Sequence, residues 1–276
     1  GNFNLNFSVD FLGGSSSTLK KLNEKKNLDF FKKSKKPIFI LGQGAMCQDD
    51  ASDIFNYCLN FYQKISKNPD WNGFNVLQTF SGRVGALDIG FYNKKNISRS
   101  FIKQIYDGKF KILYLMSADE INFDKIPKNT FVIYHGHHGD KAVKRADLII
   151  PMSCFTEKEG IYVNLEGRPQ ISNQVKLPVE GVNHSWEFFN KLSKLFNLEF
   201  FSSLNNLREK MFLNHEHLSY INQIEPSKIS KSKYSKPKFS NQEMKSNISN
   251  FYMTDSVSRN SKIMSKCSLA FMKETK

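Results

Sequence analysis

FKILYL (Phe110–Leu115), TFVIYHGHHGD (Thr130–Asp140) and ADLIIP (Ala146–Pro151) decide the fold. Each carries a short, nearly unbroken apolar run that ends in turn-forming or polar residues. Strands that do not alternate apolar with polar are buried on both faces, the mark of a parallel sheet covered by helices. Lys141–Ala146 is expected as a short helix leading into the strand Leu148–Ile150. The same texture extends upstream. Ile38–Leu41 reads as a strand, followed by the turn Gly42-Gln43-Gly44. Asp49–Lys67 places Ile54, Phe55, Cys58, Leu59, Tyr62 and Ile65 at helical spacing. Asn75–Leu77 is a further strand, and Arg83–Ile89 and Ile97–Tyr106 are helices. Strands alternating with helices predict an α/β fold with a doubly wound, mostly parallel sheet. Downstream, Gly160–Ser172 is expected as a hairpin turning at Glu166-Gly167, and Ser185–Phe196 and Asn205–Leu218 as helices.

The chain has 276 residues, 39% of them hydrophobic, with four Cys and two Trp. That length supports a sizeable core, and the composition excludes collagen-like, disulfide-framework and wholly disordered classes. No apolar run approaches the ~18–20 residues of a membrane span, and no secretory signal is visible. Cys47, Cys58, Cys154 and Cys267 are scattered without a CxxC, which argues against a zinc ribbon or an iron–sulfur ligand set and fits a reducing compartment. Positive charge comes from 34 Lys and only six Arg, beside 25 Phe. Lys, Phe and the plentiful Asn are residues of A/T-rich codons. Of the net +14, +6 falls within residues 20–36 and +5 within 226–247. Nucleic-acid binders carry instead a basic stripe on an ordered element, so no nucleic-acid partner is expected.

Four segments follow: a lead-in over 1–36, an α/β domain over 37–225, a Lys/Ser-rich linker over 226–247 and a docking tail over 248–276. The lead-in is extended over Phe3–Phe7, turns at Gly13-Gly14, and holds a Lys-rich amphipathic helix over Thr18–Ser34 that Pro37 ends. The linker is too polar to fold alone. The tail regains apolar residues, with Phe251, Tyr252 and Met253 as its expected anchors.

No motif assembles a catalytic or ligand set. Gly42-x-Gly44 is half of a dinucleotide fingerprint, but Cys47 stands at the third glycine position, and Asp49 and Asp50 would repel a phosphate. His135–Asp140 (HGHHGD) is the most metal-like string. Gly139 takes the place of the needed carboxylate, and no partner segment from His184, His215 or His217 completes a site; imidazoles bonded to backbone in a strand-end loop are the expectation. Glu157, Glu159 and Glu166 lack a nucleophile or paired His and read as solvated or salt-bridged. Asp119-Glu120 follows a strand where α/β folds bind ligands, and two carboxylates there suit a cation or a hydroxyl better than a phosphate. Catalytic, cofactor-binding and metal residues are all assigned as none.

Several strings together resemble one family: Pro37–Ala45 (PIFILGQGA), Trp71–Leu77 (WNGFNVL), Arg83–Asp88 (RVGALD), Leu115–Ile121 (LMSADEI), Tyr134–Asp140 (YHGHHGD), Ala146–Pro151 (ADLIIP), Thr156–Gly160 (TEKEG), Val163–Arg168 (VNLEGR) and Asn250–Arg259 (NFYMTDSVSR). Their order and spacing resemble the C-terminal part of the largest iron–sulfur subunit of respiratory complex I. The resemblance covers residue 3 to the end, and ADLIIP, EKEG and NLEGR are shared with the wider molybdopterin oxidoreductase superfamily. It implies a molybdopterin-oxidoreductase-type α/β domain without its cofactor. Iron–sulfur clusters are expected in an N-terminal portion not in this chain, or in a partner chain. Active superfamily members carry a Gly-Glu-Asn-Pro-like turn where this chain has Ala118-Asp119-Glu120. The resemblance further implies a structural role in the peripheral arm, supporting NADH-to-ubiquinone electron transfer coupled to proton translocation. Its partners would be other peripheral-arm subunits, especially the cluster-bearing N-terminal part of the same subunit, reached through the loops His135–Asp140 and Thr156–Gln170, on the matrix side of the mitochondrial inner membrane. The alternative is part of an active molybdopterin enzyme such as a formate dehydrogenase. The first residue is Gly rather than Met, from which a split or cut subunit is expected.

Overall fold

A computed structural model describes residues 7–92, 98–225, 236–244, 248 and 250–274. The chain divides into two compact units, each drawn from separate stretches. Unit 1 comprises 1–85, 162–170 and 220–247; unit 2 comprises 86–161, 171–219 and 248–276. This partition differs from the linear segments 37–225, 226–247 and 248–276.

Unit 1 centres on a two-stranded parallel sheet, β1 (Phe39–Gly42) beside β2 (Phe74–Leu77), with Leu41 opposite Val76. The expected helix over Thr18–Ser34 is two pieces, a 3-10 helix Ser16–Asn23 and α1 (Lys25–Phe31), separated by extended Glu24. The break has a local cause. The Lys21 carbonyl accepts from Glu24 N at 3.1 Å and from the Asn27 side chain at 2.8 Å, while Asn23 is drawn away to the Tyr57 hydroxyl. After β1 come α2 (Gln43–Met46) and α3 (Ala51–Ile65). Helix α3 buries Ile54, Tyr57, Cys58, Phe61, Tyr62 and Ile65, one stripe at helical spacing. Ile54, Cys58 and Leu41 form a core against which Phe39, Phe74 and Val76 pack.

Two residues of the Lys/Ser-rich stretch join that core. Phe239 meets the Tyr57 ring edge-on at 5.1 Å, and Met244 packs against the cluster. The Asp50 carboxylate accepts from Ser240 N at 2.8 Å and from the Ser16 hydroxyl. Residues 236–244, polar as they are, are thus ordered by pairing with other parts of unit 1. Residues 226–235 and 245–247 of the linker, and 3–6 of the lead-in, lie outside the described residues.

Unit 2 holds α5 (Ser98–Tyr106) and a three-stranded parallel sheet; α4 (Arg83–Asp88) precedes it across the division. Strand β4 (Phe131–Gly136) lies between β3 (Ile112–Met116) and β5 (Leu148–Pro151). Leu113, Leu115, Val132, Tyr134, Ile105, Ile126 and Ala142 form its core. The expected helix Lys141–Ala146 is instead a run of turns, closed by Val143 N to Asp140 O and Arg145 N to Ala142 O. Arg145 is diverted from helical geometry: its guanidinium donates to Pro127 O, Thr130 O and the Asp147 carboxylate, fixing the entry to β4. The hairpin β6 (Gly160–Val163) and β7 (Pro169–Ser172) straddles the division, residues 162–170 falling in unit 1, and turns at Gly167, whose φ of 84° favours glycine. Next come α6 (Ser185–Leu195), α7 (Leu204–Asn214), α8 (Ser256–Asn260) and α9 (Lys262–Glu274). Parallel strands with intervening helices, β1 beside β2 in unit 1 and β3, β4 and β5 in unit 2, agree with the α/β class.

One close approach pins unit 1. Gly73 N donates to the Tyr62 hydroxyl at 2.7 Å, and Trp71 Nε1 donates to Pro37 O at 2.8 Å. A Cβ on Gly73 would stand 2.2 Å from Pro37 O and 2.7 Å from the indole nitrogen. Gly73→Ala is therefore expected to lower unfolding free energy by ~1–3 kcal/mol through overpacking, read as an earlier urea midpoint by tryptophan fluorescence. An unchanged midpoint would mean that the backbone at Pro37 yields.

Candidate functional site

Parallel pairing sets Met116 opposite His135 and His135 opposite Ile150, so the carboxyl ends of β3, β4 and β5 share one edge of the sheet. In open α/β sheets that edge is where ligands bind. Ser117, with φ of 51°, turns the chain sharply out of β3 while its N–H still donates to His135 O at 2.8 Å. Asp119 follows, 1% exposed. From the end of β4 comes Asp140, and from the C-terminal segment comes Arg259.

These three side chains meet. Arg259 Nη2 donates to Asp119 Oδ2 at 2.5 Å, and Arg259 Nε donates to Asp140 Oδ2 at 2.5 Å. One guanidinium thus spans two carboxylates that are 21 residues apart in sequence and have an excess of negative charge between them. Two such carboxylates cannot both ionise freely. Burial, then the hydrogen bond with Asp140, pushes the Asp119 carboxyl up to about 7, against the pull of Arg259. Burial also raises Asp140, but its hydrogen bonds with Asp119 and Arg259 outweigh that and hold it below its usual value. Nearby, burial and the charges of Asp119 and Asp140 raise the Tyr134 phenol.

The histidine loop packs around this point. Tyr134 donates to His138 O at 3.1 Å, and its ring lies where a Cβ on Gly136 would fall, 2.3 Å away, so that position admits only glycine. His135 is fully buried, shares a hydrogen bond with the Tyr114 hydroxyl at 2.7 Å, and contacts the rings of Phe188 and Phe189. Burial holds its pKa low, as it does that of His137, whose Nδ1 lies 2.6 Å from Nδ1 of His138. The imidazoles bond to side chains, not to backbone as expected. His135 and Gly136 are buried and Asp140 is turned onto Arg259, so much of this loop faces its own chain. Among the described residues no group of three or more His, Cys, Asp or Glu converges as a metal site.

The remaining candidates are taken up locally. Glu157 accepts from Cys154 N at 3.0 Å, Glu159 pairs with Arg208 at 3.1 Å, and Glu166 pairs with Arg168 at 3.5 Å. Glu157 and Glu159 belong to unit 2 and Glu166 to unit 1. A Cβ on Gly42 or Gly44 would meet no protein atom within 4 Å. Of the anchors expected for the tail, Phe251 is 69% exposed, while Tyr252 and Met253 are half-buried and Tyr252 packs on Phe271 of the same segment. Its charged anchor, Arg259, went unrecognised from sequence. A signal was present in residue choice: in a chain with 34 Lys and only six Arg, an Arg in the tail suits a site that needs a forked donor.

The sequence matches the family model for molybdopterin oxidoreductase over residues 2–195. A second model, for the C-terminal region of an NADH-ubiquinone oxidoreductase chain, matches residues 223–267. The sequence is 35% identical to the NADH dehydrogenase [ubiquinone] iron-sulfur protein 1 of Solanum tuberosum, over 97% of this chain and 36% of that protein. It is 34% identical to the NADH-ubiquinone oxidoreductase 75 kDa subunit of Reclinomonas americana, over 96% of this chain and 39% of that protein. An NADH-quinone oxidoreductase subunit of Rickettsia bellii is likewise 34% identical, over 96% of this chain and 38% of its own length. The chain spans less than two-fifths of these relatives.

The aspartate pair makes stability depend on pH. In the folded chain Asp119 keeps a proton up to about 7, whereas the unfolded chain releases it near 3.8. The folded state therefore binds more protons between those values, and this contribution to stability, complete below the lower one, is lost as pH rises through the upper one. Asp119→Asn removes that slope while keeping the shape. Urea midpoints from pH 4 to 8 should fall for the native chain relative to the variant and level off above about 7; parallel profiles would contradict the assignment.

Proposed function

The chain belongs to the molybdopterin oxidoreductase family, in the branch of the large iron–sulfur subunit of complex I, and on that premise we propose that it is a cofactor-free structural segment of the peripheral arm of respiratory complex I. The observation that carries this reading is alignment over 96–97% of the chain with proteins named as NADH-ubiquinone or NADH-quinone oxidoreductase subunits. In that role NADH electrons reach ubiquinone through iron–sulfur clusters held elsewhere in the assembly, and this segment packs beside them.

The strand-tip chemistry supports the absence of a pterin nucleotide. A pyrophosphate calls for backbone N–H groups and positive charge. Asp119, Glu120 and Asp140 gather carboxyl groups there instead, and the guanidinium of Arg259 is already engaged by two of them. The residues do not fit the group.

A partner surface is supported by the stretch after β7. Val175 is 83% exposed, Leu177 78% and Val179 64%, an apolar run of the kind that protein interfaces cover. Relatives named as mitochondrial support a mitochondrial location, and the matrix side of the inner membrane is part of the proposal. Among the described residues no helix is long and apolar enough to cross a membrane.

Two outcomes test the proposal. The tagged chain should co-purify with NADH:ubiquinone reductase activity, flavin and iron–sulfur clusters, and without stoichiometric pterin. Pterin fluorescence together with one molybdenum or tungsten per chain would establish the formate-dehydrogenase-type alternative instead. Leu177→Lys should reduce recovery of the chain in that assembly, while its own unfolding free energy stays within ~0.5 kcal/mol, as for other exposed substitutions. Undiminished recovery would remove this surface from the interface.

A further inference from the structure

We propose that Asp119 and Asp140 form a guanidinium-binding site at the tips of β3 and β4, and that Arg259 occupies it in cis as the latch holding residues 250–274 on unit 2.

The geometry is that of a receptor and its ligand. Arg259 lies 119 residues from Asp140 and 140 from Asp119 in sequence, yet donates to both. It uses two different nitrogens, Nε and Nη2, which a single ammonium cannot reproduce. The receptor is prepared by the fold. Ser117 turns Asp119 inward, the register of β3 on β4 fixes its distance from the Asp140 loop, and the Asp119 side chain is only 2% exposed. Without the guanidinium, two acidic groups would remain side by side in a poorly solvated place, which disfavours the undocked state.

The ligand is prepared as well. Asp255 caps α8, accepting from Val257 N at 2.9 Å and Ser258 N at 3.0 Å, and Arg259 sits one turn beyond, with Nη1 also donating to Met253 O at 3.4 Å. Asn250 joins the far helix through Ser268 at 2.7 Å. The turn Phe251–Met253, α8 and α9 pack chiefly on one another. An anchor at Arg259 therefore bears on all three.

Hydrogen exchange of the full chain tests this. Arg259→Gln should lower protection across the Phe251–Met253 turn and α8 by about tenfold or more, the weight of a charge-assisted pair, with β3 and β4 amides much less affected. Arg259→Lys should recover only part of it. Should Arg259→Gln fail to fold, the Asp119→Asn/Asp140→Asn/Arg259→Gln chain leaves no uncompensated charge and should fold with the segment released. Native-like protection of the segment in that chain would overturn the latch. In Arg259→Ala, millimolar methylguanidinium should restore protection saturably. Equal rescue by methylammonium, or none by either, would overturn the assignment of a guanidinium site.

Discussion

Two carboxylates and one guanidinium, out of water at the ends of parallel strands, constrain most of what this molecule can be. Buried charges persist only when paired and hydrogen-bonded. Here the pairing joins the loop after β3, the loop after β4 and the C-terminal segment. The acidic pair sits at the edge that open α/β sheets reserve for ligands, and the chain supplies the counter-ion from its own tail. A site of this charge favours cations and turns away phosphate.

The strands were legible as short apolar runs, but they are not buried on both faces as expected: Ile40, Ile112, Phe131 and Leu148 stand exposed. Ile112–Met116 and Phe131–Gly136 lie where the sequence predicted them, and α3 follows its apolar stripe from Ile54 to Ile65. What was not legible depended on contacts remote in sequence. Lys141–Ala146 has helix-compatible residues, yet Arg145 finds three acceptors near Thr130, and the segment forms turns instead. Ser16–Phe31 divides at Glu24 because Asn23 answers to Tyr57 on another helix. Residues 236–244 read as linker on composition, and become part of a core through Phe239 and Ser240.

The site was half legible. Reading Asp119-Glu120 as suited to a cation was sound chemistry, but the cation itself lay 140 residues downstream, beyond any local pattern. Residue choice held the clue. Arg145, Arg168, Arg208 and Arg259 all make ion pairs, and Arg259 is the most committed of them. Where codon bias floods a sequence with Lys, retained arginines point to places where a planar, forked donor is needed.

The late arrival of Phe239 has a consequence for biogenesis. Helix α3 and its sheet precede unit 2 in the chain, but the Tyr57 ring waits for Phe239, encoded 154 positions after Gly85. At ribosomal speeds of ~5–20 residues per second, that delay is roughly 8–30 s. Throughout it the nascent first core carries an open greasy seam while the whole β3–β5 sheet emerges behind it. Translation order and assembly order are therefore out of step in this polypeptide, and the interval between them is when a chaperone has most to protect.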